Sequence, residues 1–463
     1  MRSMIRERPD SVNRSAESMT RPGCCDRVLV IMNSRTRPFN AERVAAQLDE
    51  RGLDPSHVGR YATLVERLDT ADPGRVGPTY LATAPGRTEL AGNHTDHNRG
   101  RVLAASVNLD SIAAVVPRDD SVVALRSEGF EPVELDADDL DPRPGEAGTT
   151  AALVRGVIAG LAHRGYRTGG FSATASSTVL PGSGLSSSAS FEVLVGQIQN
   201  VLYNDGAIGP TAIAQIGRYA ENTYFDKPCG LMDQVACATG GGVAIDFADE
   251  SNPIVEKVDV AFTDAGLALV VVDTGGSHAD LTGEYAAIPA DMRAIAAALG
   301  GEQLRDVAPA SFYADIRRLR SEIGDRAVAR AIHFFSENQR VADMVDALKA
   351  GRIVDYIGLM GESGHSSGLF LQNCAPAVST GEQGVVVALA LTERFLNRVG
   401  LRSGVDAATR VHGGGFAGTI QTLLPIDRVG DYADALADVF GPESSTVLSI
   451  RSTGAVAFQL EEA

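Results

Sequence analysis

The chain has 463 residues, 44% apolar and 22% charged, which is the composition of a globular protein with a sizeable core and room for two or three domains. Its 59 acidic residues outnumber its 41 basic ones, giving a formal net charge of −18. That balance excludes a broad electrostatic grip on nucleic acid or on an anionic membrane.

Only Lys227, Lys257 and Lys349 are lysines, so a phosphate site here must rest on arginine, backbone amides or a metal ion. The cysteines are Cys24, Cys25, Cys229, Cys237 and Cys374. Their odd number and lack of paired metal-ligand spacing fit reduced thiols in the cytoplasm. No apolar run reaches the ~18–20 residues that span a bilayer. Val28–Met32 is too short for a signal-peptide core.

Residues 1–25, rich in Arg, Ser, Pro and Glu, are expected to form a disordered tail, with Met32 as an alternative start. Residues 26–76 read as a helical extension. Its one or two surface helices carry Leu48, Leu53, Tyr61, Leu64 and Leu68 as apolar positions, around a Gly-Leu-Asp-Pro break. From Tyr80 strand-like and helix-like runs alternate. Strands are predicted at Ile112–Val116, Val122–Leu125, Gly242–Phe247, Leu267–Asp273, Thr419–Leu424 and Thr446–Leu460. Helical spacing links Phe191, Leu194, Ile198, Val201 and Leu202, and again Ile213, Ile216 and Tyr219. The acidic stretch Leu135–Gly148 reads as a surface loop. The mixture predicts an α/β or α+β enzyme with two lobes.

Four polar segments stand out along the chain. Ala84–Asn98 gathers Arg87, Glu89, Asn93, His94, Asp96, His97 and Asn98. Such groups suit a polyhydroxyl ligand, because each hydroxyl needs a donor and an acceptor. A hydrogen-bonded turn is the plainer reading, and a metal site on His94, Asp96 and His97 lacks a distal partner. Pro181–Ser190 is a ten-residue Gly/Ser run leading into the helix at Phe191. Its glycines let backbone amides approach a ligand and the helix N-terminus favours an anion, which makes a phosphate cradle. No lysine follows the second glycine, so it is not a P-loop. Glu221 and, further on, Asp233 in Cys229–Gln234 offer one carboxylate for Mg²⁺ and another to take a proton. His412–Thr419 holds a run of glycines before a strand and reads as a tight turn from helix to strand.

In this order the segments resemble the three motifs of the GHMP kinases, and within them most closely the galactokinase family. The resemblance covers residue 80 to the C-terminus. It implies an α/β (α+β) fold of two lobes: an N-terminal α/β lobe over 77–270 with the sugar and ATP motifs, and a ferredoxin-like C-terminal lobe over 271–463. It implies transfer of phosphate from ATP, with Mg²⁺, to the anomeric hydroxyl of galactose. Asp233 would be the base, with Arg87 stabilising charge and keeping Asp233 ionised. Ser188 and Glu221 would hold Mg²⁺. Gly182, Ser183, Gly184, Leu185, Ser186, Ser187 and Ser188 would wrap the phosphates, with Ser127 reaching the nucleotide. Asn93, His94, Thr95, Asp96 and Tyr285 would line the sugar pocket. The expected partners are small molecules, with no nucleic acid and no membrane; the oligomeric state is left open, with a monomer favoured.

Three positions depart from the family pattern. Most galactokinases carry an acid where Asn93 stands, an Asn where Glu89 stands and a Tyr where His97 stands. An amide at Asn93 would tolerate an altered C6, a carboxylate included. The favoured explanation is a bacterial subgroup with this variant signature and a longer N-terminal region. The alternatives are a kinase for galacturonate, arabinose or N-acetylgalactosamine, or a catalytically silent galactose and ATP sensor. The presence of Arg87, Glu221 and Asp233 favours catalysis.

Overall fold

The computed structural model describes residues 39–179, 184–227, 229–276, 281–377 and 381–461. The expected N-terminal tail, and Gly182 and Ser183 of the ATP segment, lie outside the described residues. Two helices come first, α1 (Ala41–Asp49) and α2 (Val58–Ala71). Asn40 caps α1 by accepting the Arg43 N–H at 3.0 Å. Strands β1 (Tyr80–Ala91), β2 (Arg101–Pro117), β3 (Val122–Ser127) and β4 (Val133–Asp136) follow. Next come α3 (Thr150–His163), β5 (Phe171–Ser177), α4 (Ser187–Tyr203), α5 (Pro210–Thr223) and α6 (Met232–Thr239), then β6 (Gly242–Asp246), β7 (Ile254–Val258) and β8 (Leu267–Asp273).

A helical stretch separates β8 from the remaining strands. It comprises α7 (Thr282–Ala298), α8 (Pro309–Glu322), α9 (Asp325–Lys349), α10 (Ile353–Ser366) and α11 (Gly384–Arg398). The chain closes with β9 (Ala408–His412), β10 (Thr419–Pro425), α12 (Val429–Phe440), β11 (Ser445–Leu448) and β12 (Val456–Gln459).

The first sheet runs β12-β1-β2-β5-β3-β4, with β6 also on β2 and β7 on β6. Its pairs are antiparallel except β3 with β5. The second sheet is β11-β8-β10-β9, antiparallel throughout. Both sheets are apolar on two faces, and each face is covered. Val157, Val193, Ile216 and Val235 of α3 to α6 pack on one side of the first sheet, against Ala113, Val115 and Ala173. Leu48, Tyr61, Leu64 and Leu68 of α1 and α2 bury against Leu81, Ile112, Ala114 and Val116. These apolar positions are thus core, and only the opposite helix faces are solvated. Val385, Phe395, Tyr432 and Leu436 of α11 and α12 cover Val270, Val272 and Ile420 in the second sheet.

Three expectations are corrected. The run Thr446–Leu460 is broken into β11, which pairs β8 in the second sheet, and β12, which pairs β1 in the first. Arg451 sits at the break and donates to Asp110 Oδ2 and Thr83 Oγ1, both at 3.0 Å. The acidic loop is shorter than expected, because Val133–Asp136 is claimed by pairing with β3. The last glycine run links two strands, β9 and β10, rather than a helix and a strand.

Candidate active site

The pairing of β1 with β2 slips between Pro85 and Arg87, a local irregularity that re-aims the chain. At this point the Arg87 N–H donates to the Leu185 carbonyl at 3.1 Å, joining the strand to the Gly/Ser segment. Arg87 Nε–H and Nη2–H donate to Asp233 Oδ1 and Oδ2, both at 2.7 Å. A third donor, Nη1–H, meets the Gly184 carbonyl, and the Ser186 hydroxyl donates to Asp233. Asp233 lies in the first turn of α6, where a helix favours an anion. Burial opposes its ionisation, but the Arg87 guanidinium and the Ser186 hydroxyl prevail and hold the carboxyl below its usual value. The Asp233 side chain is 29% exposed and that of Arg87 7%. The carboxylate therefore keeps one open side while its counter-charge is enclosed.

Leu185 and Ser186 lead directly into α4. Ser186 caps the helix from the left-handed region, φ 60°, a conformation that non-glycine residues seldom adopt. Gly184 has φ +72°, and a Cβ there would meet Thr419 Oγ1 at 2.7 Å and His412 Nδ1 at 3.0 Å. Only glycine fits, so the third motif forms the floor of the Gly/Ser segment. Ser187 and Ser188 begin α4, whose first amides have no intrahelical acceptor and so offer donors to phosphate oxygens.

Ser188 Oγ–H donates to Glu221 Oε1 at 2.8 Å, from α4 to α5. Lys227 Nζ meets the same oxygen at 2.8 Å. Gln234 Nε2–H₂ spans Glu221 Oε2 at 2.9 Å and Glu192 Oε2 at 3.0 Å. Burial, then the adjacent Glu221, push the Glu192 carboxyl well above its usual value. Among the described residues no three His, Cys, Asp or Glu side chains are grouped to hold a metal ion. The pair of hard oxygen donors on Ser188 and Glu221 fits Mg²⁺, which takes few protein ligands and fills its octahedron with water and phosphate.

The sugar motif folds into a turn after β1, and its members diverge in placement. Asn93 is fully enclosed. Its Nδ2–H₂ donates to Glu89 Oε1 at 3.1 Å and to the Gly413 carbonyl at 2.6 Å, while Oδ1 accepts from Asn373 Nδ2 at 2.7 Å. Glu89 in turn pairs with the buried Arg410 of β9. Thr95 is equally enclosed, its hydroxyl donating to the Gly92 carbonyl at 2.8 Å. The side chains of Asn93 and Thr95 thus tie the turn down. His94 Nε2 lies 2.9 Å from the Gly414 carbonyl, and burial pushes its pKa down to about 3, so it donates as a neutral ring. Asp96 lies against Gly230, next to the Asp233 segment. Tyr285 of α7 donates its hydroxyl to the Gly415 carbonyl at 2.7 Å and stacks edge-on against Phe416.

All three motifs therefore converge around Arg87 and Asp233. Ser127 ends β3, paired opposite Ala175 of β5. Several contacts that hold this arrangement were not apparent from the motifs. His412 Nε2 lies 3.0 Å from Thr88 Oγ1, and its Nδ1 3.0 Å from Thr419 Oγ1. Asn373 donates to both Asn93 and Gly414. His333 and Glu337 reach the sugar turn from α9. The available signal was a row of polar residues (Arg330, His333, Glu337) on the helix face shared with Ala327, Phe334 and Val341.

Comparison with known proteins agrees with this geometry. The galactokinase galactose-binding signature matches residues 73–117, and the GHMP kinases N terminal domain matches residues 152–241. A galactokinase of Streptomyces coelicolor is 34% identical over 368 residues, spanning 78% of this chain and 89% of that protein. One from Actinobacillus pleuropneumoniae serotype 5b is 32% identical over 359 residues, 77% of this chain and 88% of its own. Among solved structures, Lactococcus lactis galactokinase complexed with galactose superposes with a TM-score of 0.71 at 24% identity, covering 85% of this chain and 98% of that one. The mevalonate kinase of Methanococcus jannaschii gives a TM-score of 0.56 at 14% identity, covering 80% and 98%.

Proposed function

The chain belongs to the galactokinase family of GHMP kinases, and on that premise we propose that it moves the terminal phosphoryl group of ATP to the anomeric hydroxyl of galactose, with Asp233 as the base. The observation that carries this reading is the bidentate Arg87–Asp233 pair, at the junction of the ATP segment with the sugar motif.

Phosphoryl transfer asks for positioning and charge neutralisation more than for covalent work. Asp233 is ionised at neutral pH and has an open side for the hydroxyl. A carboxylate held this low is a weak base. That suffices where the attacking oxygen keeps its proton until late, as a loose transition state allows. Arg87 fixes the direction of the carboxylate and keeps positive charge at the reacting centre. The α4 N-terminus and Gly184 face the phosphates with backbone donors, which explains how a chain with three lysines handles ATP. Ser188 and Glu221 are the residues that would hold Mg²⁺, which when bound neutralises phosphate charge. Asn93, His94, Thr95 and Asp96 of the sugar motif, with Tyr285 of α7, are the side chains assigned to the sugar, Asn93 and Thr95 also tying down the turn that carries them.

Cys229, Cys237 and Cys374 are free thiols, which supports a reducing, cytoplasmic setting. Among the described residues no helix is long and apolar enough to cross a membrane.

The test is ADP release by the purified protein with Mg-ATP and a panel of galactose, N-acetylgalactosamine, galacturonate, arabinose and glucose. Galactose is expected to give the highest kcat/KM. A preference for galacturonate would transfer the activity to a C6-oxidised sugar. Binding of galactose and ATP without turnover would make the protein a sensor.

A further inference from the structure

The helix α9 is the least explained element near the site. Four residues apart on its buried face lie His333 and Glu337, neither exposed at all, on a helix that is otherwise packed there by Ala331, Phe334 and Val341. Buried polar groups are costly unless they are fully bonded, and an apolar residue would pack at either position without that cost. Both side chains are bonded, and each spends one bond on the backbone of the sugar motif. Glu337 Oε1 accepts the Gly92 N–H at 3.1 Å. His333 Nε2 lies 2.9 Å from the Asn93 carbonyl.

We propose that Glu337 and His333 are positioning residues for galactose binding, which act by fixing the backbone of the turn Gly92–His94. This rests on the reading of that turn as the sugar site.

The turn needs such support. Gly92 has φ +94°, and a Cβ there would fall 2.6 Å from the Arg101 carbonyl, so its backbone is pressed onto β2. Two residues on, His94 has φ 59°, a left-handed conformation for a residue with a full side chain. That conformation aligns the His94 ring with the Gly414 carbonyl at 2.9 Å. It persists only where the surroundings over-determine it. His333 holds the peptide group that joins Asn93 to His94, and Glu337 the one that enters the turn at Gly92.

Each is itself held in one state. Ser363 Oγ–H donates to Glu337 Oε1 at 2.6 Å, and Arg340 pairs with the other oxygen. Ser366 Oγ lies 2.8 Å from His333 Nδ1. A hydroxyl proton given to Nδ1 leaves the His333 proton on Nε2, where the Asn93 carbonyl accepts it. Burial keeps the His333 ring neutral, as this pattern requires. Among the described residues neither side chain bonds the ATP segment, so the two are expected to act on the sugar alone.

The experiment is steady-state kinetics of full-length variants, with KM for galactose and for ATP determined separately and galactose binding titrated calorimetrically. Glu337→Leu and His333→Leu remove the bond to the turn. Glu337→Gln retains an acceptor for the Gly92 N–H, and His333→Gln retains a donor at the reach of Nε2. The leucine variants are expected to raise KM and Kd for galactose at least tenfold with KM for ATP within twofold. The glutamine variants should stay within threefold of the parent. Folded leucine variants with unchanged galactose KM, or with both KM values raised together, would overturn the proposal. Should leucine prevent folding, His333→Asn keeps the Ser366 contact but falls short of the Asn93 carbonyl. Its galactose KM is then expected to exceed that of His333→Gln at least fivefold, and equal values would overturn the proposal. The parent enzyme separates the two levels of the claim. Absence of galactose turnover in the parent defeats the functional reading, whereas an active parent with indifferent variants defeats only the role of α9.

Discussion

Replacing Asp233 by Asn removes one charge and almost no volume. The carboxylate now accepts from three donors: Arg87 Nε–H, Arg87 Nη2–H and the Ser186 hydroxyl. An amide offers one oxygen and an NH₂ group, so at least one Arg87 N–H loses its acceptor. A hydrogen bond to a charged group contributes about 1.5–3 kcal/mol. Stripping an enclosed arginine of its counter-charge costs about 3–5 kcal/mol. Arg87 keeps its bond to the Gly184 carbonyl, and water reaches the 29% of Asp233 that is open, so the expected loss of stability lies at the lower end, about 3 kcal/mol. The loss in catalysis is larger. A positioned general base is worth roughly 10²–10⁴ in rate, and the displaced Arg87 adds to it. We expect kcat to fall at least a hundredfold, with ATP affinity within threefold, because Gly184 remains seated on His412 and Thr419. Single-turnover ADP formation, calorimetric ATP titration and thermal unfolding on the same preparation separate these effects. A folded Asp233→Asn variant retaining more than a tenth of parental kcat would refute the base assignment.

Three further outcomes follow from the same geometry. Against the pull of burial, Arg87 and Ser186 hold the Asp233 carboxyl below its ordinary value. Lowering the pH protonates it only below the ordinary aspartate range, so the acid limb of kcat/KM should lie below that range, and a limb near pH 6 would assign the base to another group. Ser188→Ala deletes the hydroxyl 2.8 Å from Glu221 Oε1 and should raise the Mg²⁺ concentration for half-maximal rate roughly tenfold at unchanged galactose KM. An unaltered Mg²⁺ titration would remove Ser188 from the metal site. Leu64→Ala opens a cavity between α2 and Ile112, Ala114 and Val116, at a cost of about 2–5 kcal/mol in denaturant unfolding with kcat unchanged. A loss under about 1 kcal/mol would mean that α2 is only loosely docked.

What the sequence disclosed depended on how local each signal was. Leu267–Asp273 is a strand over the full predicted range, because an unbroken apolar run ending in three valines suits a strand buried on both faces. The Gly/Ser segment announces the α4 N-terminus, since glycine and serine are needed there for local reasons. The split of Thr446–Leu460 was hidden because both halves have strand character, and only their pairing with different sheets separates them. Asn93 illustrates the same limit from the other side. Its amide bonds Glu89, Gly413 and Asn373, the last two far along the chain, and no local pattern shows those partners. The polar row with His333 and Glu337 was visible on its helix face but its purpose was not, as their partners are the backbone of Gly92 and Asn93 more than 200 residues away.

The central claim is the transfer of phosphate from ATP to the anomeric oxygen of galactose at the Arg87–Asp233 centre. It is tested most directly by carbon NMR of the product formed from galactose labelled with ¹³C at C1, Mg-ATP and the purified protein. The account predicts that the C1 signal shifts and splits by coupling to one phosphorus, and that the Asp233→Asn variant leaves the signal unsplit. An unsplit C1 signal while ADP accumulates would contradict it.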